Sequence, residues 1–196
     1  MSQPAIFIDR DGTLNVNVHH LRRAEDLQLI PGAGEAIARL QQAGYPVVII
    51  TNQSAIARGY ITETDLADIH RELDRQLAAI GTQVDGVYYC PHHPEYGDKT
   101  ICNCRKPAPG LLLQAAAERN LDLARSIMIG DNITDLQAGW NVGCHGALVL
   151  TGSGQQIRDQ ADSDTLHKIA CIGKDLSEVS DWILHQAPDA SGLAPS

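Results

Sequence analysis

A buried strand that runs directly into two carboxylates is the sequence feature that most constrains this chain. Residues 5–8 form a short apolar run of the kind that makes a fully buried strand, and Asp9, Asp11 and Gly12 follow it. The carboxylates therefore lie at the end of a central strand, where open α/β sheets bind ligands. Because two acids one residue apart on a sharp loop cannot both point the same way, one can attack or hold a metal while the other transfers protons. The alternative is an Asp-Gly turn with solvated acids.

The rest of the chain alternates apolar strands with amphipathic helices. Further strands are predicted over residues 47–50, 84–89, 126–129, 147–150 and, at an edge, 169–172. Helices are predicted over residues 31–42, 62–80, 109–120, 134–141 and 176–184, and a loop or short helix over residues 155–164. This alternation predicts an α/β fold, a three-layer sandwich with a mostly parallel, Rossmann-like central sheet.

The length and charge of the chain limit its partners. A chain of 196 residues suits one domain, which we expect over residues 1–186, with a flexible tail over residues 187–196. Its N-terminus lacks a secretory signal and no apolar run reaches membrane-spanning length, so we expect a cytoplasmic protein that binds no membrane. Fifteen basic and 24 acidic residues give a formal net charge of -9, which argues against a nucleic-acid partner. Local cations must then bind any anionic substrate.

Polar side chains follow the ends of four predicted strands. In chain order they are Asp9 and Asp11, Thr51, Arg105 and Lys106, and Asp131. Carboxylates, a hydroxyl group and cations at one edge of a sheet make a site that holds Mg²⁺ beside an anion, because hard oxygen ligands suit that ion. A carboxylate that attacks a phosphoryl group needs such a cation, since the two negative charges would otherwise repel each other.

These residues resemble the four motifs of haloacid dehalogenase superfamily phosphohydrolases. The matching segments are Asp9-Arg10-Asp11-Gly12-Thr13, Thr51, Lys106, and Gly130-Asp131 with Asp135. They occur in the family's order and cover nearly the whole chain. The resemblance implies a fold of that type, and the absence of a large insertion after the first motif or the second strand predicts no separate cap domain.

The resemblance also implies a role for each motif residue. Asp9 attacks phosphorus to form an aspartyl-phosphate, and Asp11 protonates the leaving oxygen and later activates water. Thr51 and Lys106 hold the phosphoryl oxygens. Asp9, the backbone carbonyl of Asp11, and Asp131 bind the Mg²⁺ ion.

A cysteine-rich loop, residues 90–104, has the spacing of a zinc site. The pattern C-x-H-x9-C-x-C is made by Cys90, His92, Cys102 and Cys104. Three thiols and one imidazole match a closed tetrahedral Zn²⁺ site, which is structural because no position remains for substrate. His93 is a competing imidazole, and His92 is preferred because it matches the ligand in related phosphatases. Zinc would stiffen the loop that presents Arg105 and Lys106. The alternative is a set of free surface thiols.

Residues 51–59 separate two phosphatase groups that share the first motif and a zinc loop. Their sequence, T-N-Q-S-A-I-A-R-G, resembles the T-N-Q-S-G-I-A-R-G of heptose 1,7-bisphosphate 7-phosphatases and departs only at Ala55. The resemblance implies a monomer that removes the 7-phosphate of D-glycero-D-manno-heptose 1,7-bisphosphate during synthesis of ADP- or GDP-heptose precursors. It implies contacts of this sugar bisphosphate with Asn17, His19, His20, Asn52, Gln53, Ser54, Arg105, Lys106 and Asn132. Asn132 stands where many relatives carry Lys, and residues 17–20 differ from the commoner D-H-G-Y.

Three alternatives to this function differ in their chemistry. The nearest is a histidinol-phosphate phosphatase, which shares both the first motif and the zinc loop. A non-catalytic zinc-loop interaction protein on a phosphatase scaffold would be expected to lack Asp9 or Asp11, and both are present. A nucleic-acid 3'-phosphatase would need a basic patch that follows the nucleic-acid backbone, which the acidic composition does not supply.

Overall fold

Six parallel strands form the centre of the molecule. A computed structural model describes residues 2–18, 20–99 and 102–186, so His19 and the predicted tail, residues 187–196, lie outside the described residues. The strands are β1 (Ile6–Ile8), β2 (Val47–Asn52), β3 (Gly86–Cys90), β4 (Ile127–Gly130), β5 (His145–Val149) and β6 (Ile169–Gly173). Their order across the sheet is β3-β2-β1-β4-β5-β6, and each neighbouring pair is parallel. The predicted parallel sheet is confirmed.

Seven α-helices connect and cover the strands in the described part of the chain. They are α1 (Ala33–Gln42), α2 (Glu63–Ala79), α3 (Gly110–Arg119), α4 (Ile133–Trp140), α5 (Gly154–Gln160), α6 (Ser163–Lys168) and α7 (Leu176–Gln186). The segment 155–164 forms most of α5 and the start of α6, because the side chain of Asp162 accepts a hydrogen bond from the Thr165 N–H and starts a new helix. None of the described helices has the length and apolar character needed to cross a membrane.

Two apolar clusters, one on each face of the sheet, make the three layers. Ile6 and Ile8 pack with Ile37 of α1 and Leu73 of α2 on one face, and α7 joins this cluster. Phe7 belongs to the opposite cluster, together with residues of α3 and α4. Side chains alternate between the faces of a strand, so a sheet covered on both faces requires a continuous apolar run, as in β1. The three-layer prediction is confirmed.

The connectivity changes direction at β1. From β1 the chain builds β2 and β3 on one side of the sheet, and it then crosses to β4, β5 and β6 on the other. The carboxyl ends of β1 and β4 therefore border the crevice where such sheets bind ligands. The Asp9 N–H donates to the Ile129 carbonyl at 2.9 Å, which fixes the end of β1 to β4. In the described residues between β1 and α1, the regular structure is one 3-10 turn, Ala24–Asp26, consistent with the absence of a cap domain.

Candidate active site

A buried lysine joins the ends of several strands. Nζ of Lys106 lies 2.7 Å from Oδ1 of Asp9, which follows β1, and 2.7 Å from Oδ1 of Asp135 on α4. The same ammonium donates to the Ile50 carbonyl in β2 at 2.6 Å. Lys106, Asp9 and Asp135 are all buried. The lysine therefore fixes the carboxylate after β1 relative to β2 and α4.

Three carboxylates surround this ammonium group. Ligand oxygens of Asp9, Asp131 and Asp135 all lie within 4.8 Å of one another. Burial raises the pKa of Asp9 to about 8, against the opposing charge of Lys106, and burial also raises the pKa of Asp131 to about 6. Burial by itself lowers the pKa of Lys106, but the charges of Asp135 and Asp9 outweigh it and raise that pKa above its ordinary value. The charge of Lys106 thus offsets only part of the charge of the three carboxylates.

The charge balance and donor atoms of this group fit a divalent cation. Three carboxylates and one ammonium leave two uncompensated negative charges in a buried site, where such charge is costly. Carboxylate oxygens are also the donors that Mg²⁺ prefers. Both oxygens of Asp135 already accept hydrogen bonds, Oδ1 from Lys106 and Oδ2 from the Asn132 N–H at 3.1 Å. Asp9 and Asp131 are therefore the carboxylates that best fit a magnesium ion.

Two glycines make room for the carboxylate of Asp131. Gly12 has φ +96°, and a Cβ there would lie 2.3 Å from Oδ2 of Asp131; a Cβ at Gly152, with φ +55°, would lie 2.1 Å from the same oxygen. Glycine is the residue that tolerates both the positive φ and the close approach. Oδ2 of Asp131 in turn accepts from the Ser153 N–H at 2.7 Å. The loops after β1 and β5 therefore close around the acid that follows β4.

Asp11, the second acid of the first motif, is held by five hydrogen bonds. Three come from the guanidinium of Arg10 at 2.8 to 3.2 Å, and one each from Asn15 Nδ2 and Gln53 Nε2 at 2.9 Å. Although burial raises the pKa of Asp11, the charge of Arg10 and these hydrogen bonds lower it below its ordinary value. The environments of Asp9 and Asp11 therefore shift the two pKa values in opposite directions: burial favours the neutral form of Asp9, and Arg10 favours the carboxylate form of Asp11.

The residues at the end of β2 hold the site together. Nε2 of Gln53 donates to Oγ1 of Thr51 at 2.8 Å as well as to Asp11. Because Oγ1 of Thr51 is the acceptor in that bond, its own hydrogen is available to donate to a phosphoryl oxygen. Asn52 accepts from the Lys106 N–H at 3.0 Å and donates to the Lys106 carbonyl at 3.2 Å. Asn52 thereby fixes the backbone of Lys106 to β2.

A second group of ligand atoms lies in the loop after β3. The atoms lie within 4.8 Å of one another and belong to Cys90, His92, Cys102 and Cys104. The sulfur–sulfur distances are 3.1 to 3.5 Å, and Nδ1 of His92 lies 3.4 Å from Sγ of Cys104. Around a tetrahedral zinc with bonds of about 2.3 Å, sulfurs lie about 3.8 Å apart, so these atoms can close around one ion. His93 lies outside this group, and its Nδ1 accepts from the Glu95 N–H at 3.1 Å.

Among the predicted sugar contacts, three amide side chains bond within the protein. They are Asn52 and Gln53, described above, and Asn132, whose Oδ1 accepts from the Thr134 N–H at 3.1 Å and caps α4. The side chain of Asn132 is thus part of the helix start that places Asp135. A contact of these residues with substrate remains a prediction.

The other predicted sugar contacts lie on loops around the carboxyl ends of the strands. Asn17 is exposed, Ser54 is partly buried, and the ring of His20 meets that of Tyr60 edge-on with centroids 5.1 Å apart. NH1 of Arg105 donates to the carbonyl of the zinc-loop residue His92 at 3.2 Å. These contacts remain predictions as well, and His19 lies outside the described residues.

Two residues for which the sequence predicts no role hold catalytic candidates in place. Asp135 binds Lys106, and Arg10 is fully buried and binds Asp11. NH1 of Arg10 also lies 3.2 Å from Nε2 of His70 on α2. An acid three residues after Asn132 is a signal for a capping box, which could have marked Asp135 as structural. Its contact with Lys106 depends on the tertiary fold and has no local signal.

Comparisons with known proteins agree with this arrangement. Residues 6–81 match a family described as haloacid dehalogenase-like hydrolases, and residues 103–179 match one described as HAD-hydrolase-like. The chain is 42% identical over 166 residues to the D-glycero-beta-D-manno-heptose-1,7-bisphosphate 7-phosphatase of Vibrio cholerae, which covers 83% of this chain and 89% of that protein. It is 40% identical over 196 residues to the D-glycero-D-manno-heptose-1,7-bisphosphate 7-phosphatase of Thermosynechococcus vestitus, which covers 96% of this chain and 100% of that protein.

A solved structure shares both the fold and the sequence. The crystal structure of D,D-heptose 1,7-bisphosphate phosphatase from B. bronchiseptica, complexed with magnesium and phosphate, matches with a TM-score of 0.85 and 36% sequence identity. The match covers 94% of this chain and 100% of that chain. The similarity thus extends over nearly the whole of both chains.

Proposed function

Because this chain belongs to the haloacid dehalogenase-like hydrolases, in the family of heptose-1,7-bisphosphate 7-phosphatases, we propose that it removes the 7-phosphate of D-glycero-D-manno-heptose 1,7-bisphosphate in a magnesium-dependent reaction. Membership of this family makes the chain a phosphoric monoester hydrolase. The observation that carries the proposal is the buried contact of Asp9 with Lys106, beside Asp131, at the crevice between β1 and β4.

The first step forms an aspartyl-phosphate on Asp9. A carboxylate oxygen of Asp9 attacks the phosphorus of the 7-phosphate, and the bond between phosphorus and the C7 oxygen breaks. Asp11 in its protonated form gives its proton to that leaving oxygen. Lys106 and the hydroxyl of Thr51 hold the phosphoryl oxygens and stabilise the charge that they carry.

The second step hydrolyses the intermediate. Asp11, now a carboxylate, takes a proton from a water molecule, which attacks the same phosphorus. The bond between phosphorus and Asp9 breaks, and inorganic phosphate leaves. The hydrogen bonds from Arg10, Asn15 and Gln53 suit the carboxylate form of Asp11 that this step requires.

Two metal ions belong to the proposal. Asp9, Asp131 and the backbone carbonyl of Asp11 would hold Mg²⁺, which offsets the negative charge of phosphate and of the attacking carboxylate. The Cys90, His92, Cys102 and Cys104 group would hold a structural Zn²⁺ that stiffens the loop before Lys106. Support comes from the charge balance of the acidic group, the compact thiol and imidazole cluster, and the magnesium in the B. bronchiseptica structure.

The names of the relatives support the substrate. We propose a role in making ADP- or GDP-heptose precursors, with a monomer whose residues 1–186 form one catalytic domain.

Phosphate release is measured from both anomers of the heptose bisphosphate and from histidinol phosphate, with ³¹P NMR to show which phosphate leaves. We expect kcat/KM at least about 100-fold higher for the heptose bisphosphate, with the 1-phosphate retained. Equal or faster hydrolysis of histidinol phosphate would contradict the proposal.

The nucleophile is tested by Asp9→Asn. The amide cannot attack phosphorus, so we expect kcat to fall at least about a thousandfold, with an unchanged circular dichroism spectrum. The matched control is Asp164→Asn, which removes an exposed carboxylate on α6 and leaves kcat unchanged. Mass spectrometry of acid-quenched wild-type enzyme should place a phosphoryl group on Asp9. Substantial turnover by Asp9→Asn, or a phosphoryl group on another residue, would show that the nucleophile is misassigned.

A further inference from the structure

Two arginines contact adjacent residues of the zinc loop, His92 and His93, where the loop after β2 touches it. We name Arg58, His93, Tyr96 and Arg105 the inter-loop cationic cluster. The guanidinium carbon of Arg58 lies 3.9 Å from the ring centroid of Tyr96, and the rings of His93 and Tyr96 meet edge-on with centroids 4.9 Å apart. A Cβ on Gly97 would lie 3.1 Å from the carbonyl oxygen of Ala57, so the two loop backbones are in close contact here. This contact holds the Arg58 side chain against the zinc loop.

Hydrogen-bond donors in this cluster face each other without an acceptor between them. Nδ1 of His93 accepts from the Glu95 N–H, so in the neutral ring Nε2 carries the proton. NH2 of Arg58 lies 3.2 Å from that Nε2, and a guanidinium nitrogen is also a donor. In addition, Nε of Arg58 is buried and has no hydrogen-bond partner among the described residues. An anion could accept hydrogen bonds from several of these N–H groups at once and so satisfy them.

The charge of the cluster also favours an anion. In the part of the chain that the structure describes, neither Arg58 nor Arg105 forms an ion pair with a carboxylate. NH1 of Arg105 donates to the His92 carbonyl at 3.2 Å, and NH2 of Arg58 lies 3.2 Å from Nε2 of the adjacent His93, so both guanidinium groups contact the same part of the zinc loop. Glu95, the acid two residues after His93, is exposed. Two guanidinium groups thus contact adjacent residues on a protein whose formal net charge is -9.

The cluster lies next to the catalytic residues along both loops. Arg105 directly precedes Lys106, which binds Asp9. Arg58 follows Gln53 by five positions, in a turn where its N–H donates to the Ser54 carbonyl at 3.1 Å. Both arginines therefore belong to loops that leave the carboxyl ends of β2 and β3, beside the phosphoryl site.

We propose that Arg58, positioned by Tyr96 and His93 and acting with Arg105, binds the second phosphate of a bisphosphorylated sugar, the one that is not hydrolysed. This assignment rests on the proposed function, because it requires a substrate with two phosphates. It gives Arg58 a role in specificity: the chemistry at Asp9 needs one phosphate, and the inter-loop cationic cluster selects substrates that carry another. Planar guanidinium groups suit this task because they bind phosphate oxygens in pairs.

The test compares two substrates in one variant. For Arg58→Gln we expect kcat/KM for heptose 1,7-bisphosphate to fall about 10- to 100-fold, mainly through KM, because a charge-assisted phosphate contact is lost. For heptose 7-phosphate, which lacks the second phosphate, kcat/KM should stay within about twofold of wild type. Arg58→Lys keeps the charge without the planar fork and should show a smaller, equally selective loss.

Controls separate binding from structure. Arg75→Gln removes an exposed arginine paired with Glu72 on α2 and should change neither substrate's kinetics. Zinc content and melting temperature of each variant report whether the loop is intact, and if Arg58→Gln does not fold, Arg58→Lys carries the comparison. Equal losses on both substrates, or no loss on the bisphosphate, would overturn the assignment. The proposed function fails separately if the wild-type enzyme does not hydrolyse the heptose bisphosphate. In that case, inhibition by fructose 1,6-bisphosphate is compared with inhibition by fructose 6-phosphate to test the inter-loop cationic cluster.

Discussion

Asp135 holds Lys106 with one carboxylate oxygen and the start of its own helix with the other. Oδ1 lies 2.7 Å from Nζ of Lys106, while Oδ2 accepts from the backbone N–H of Asn132 at 3.1 Å. Breaking a buried ion pair by removing one charge leaves the other uncompensated, which is strongly unfavourable. Asp135 therefore sets the position of the lysine that contacts the nucleophile, and it adds to the negative charge around the candidate magnesium site.

Replacing Asp135 by Asn tests this positioning role. Asp135→Asn preserves the shape of the side chain but removes a charge, so Mg²⁺ should bind at least about tenfold more weakly and kcat should fall about 10- to 100-fold. Isothermal titration with Mg²⁺ alone measures the affinity without turnover. The control is Asp65→Asn, which alters the equivalent capping box on α2 and belongs to neither group of candidate metal ligands. If both variants bind Mg²⁺ like the wild type, Asp135 is only a helix cap.

Gly12 lies where a side chain would displace a candidate magnesium ligand. Gly12→Ala places a Cβ 2.3 Å from Oδ2 of Asp131 and also strains a backbone at φ +96°. We expect kcat/KM to fall at least about 100-fold, because a displacement near 1 Å at a catalytic group has effects of this size. Gly81→Ala is the matched control, since Gly81 has φ +83° and nothing within 4 Å of an added Cβ. Both variants should lose stability, by about 1 kcal/mol for the left-handed conformation, but only Gly12→Ala should lose activity. If Gly12→Ala is as active as Gly81→Ala, the added Cβ does not displace Asp131 and the steric argument is wrong.

Features that depend on residues close together in the chain can be predicted from the sequence. Features that depend on contacts between distant segments cannot. The burial of β1 and the carboxylates after it are local, because a continuous apolar run followed by Asp9 is visible in the chain. The extent of β2 is not local: its ladder with β3 continues through Thr51 and Asn52, which pair with Tyr89 and Cys90, although the apolar run ends earlier. Backbone pairing depends on the neighbouring strand and not on the polarity of the side chain.

The acidic group shows the same limit. Spacing and type marked Asp9, Asp11 and Asp131, because carboxylates after strand ends are rare enough to notice. The bond from Asp135 to Lys106 and the five hydrogen bonds on Asp11 depend on how distant segments meet. Side-chain partners across the fold have no signature in a single sequence, so the bonds of the Asn52 amide to the backbone of Lys106 could not be predicted, and its contact with sugar stays a prediction.

The zinc proposal predicts a selective loss of metal. Cys102→Ser removes one of the four converging ligand atoms, so the purified protein should lose most of its zinc, as measured by elemental analysis. We expect kcat/KM to fall about tenfold because the loop that carries Arg105 and Lys106 loosens. Cys171→Ser is the control, since Cys171 lies on β6 outside the ligand group and should leave zinc unchanged. Equal zinc contents in the wild type and Cys102→Ser would remove the zinc site from the proposed function.

The surroundings of His70 make the stability of the protein depend on pH. It lies on α2 with Nε2 3.2 Å from NH1 of Arg10, and its ring meets that of Tyr89 edge-on. Burial, helped by the charge of Arg10, lowers the pKa of His70 from 6.5 to about 4. Between those values the unfolded chain binds a proton that the folded protein does not. The free energy of unfolding therefore falls as the pH drops from 6.5 towards 4, and this contribution is fully present above pH 6.5.

The measurement is the melting temperature of the wild type and His70→Gln at pH 7 and at pH 4.5. The proton linkage amounts to about 2 kcal/mol over this interval, so the wild type should lose roughly 4 to 8 °C more than the variant. The raised pKa values of Asp9 and Asp131 act in the opposite sense, but both proteins contain these acids, so the difference between them isolates His70. His167→Gln, which changes an exposed histidine on α6, should follow the wild type. If the wild type and His70→Gln lose the same number of degrees in melting temperature between pH 7 and pH 4.5, His70 accepts its proton as easily in the folded protein as in the unfolded chain.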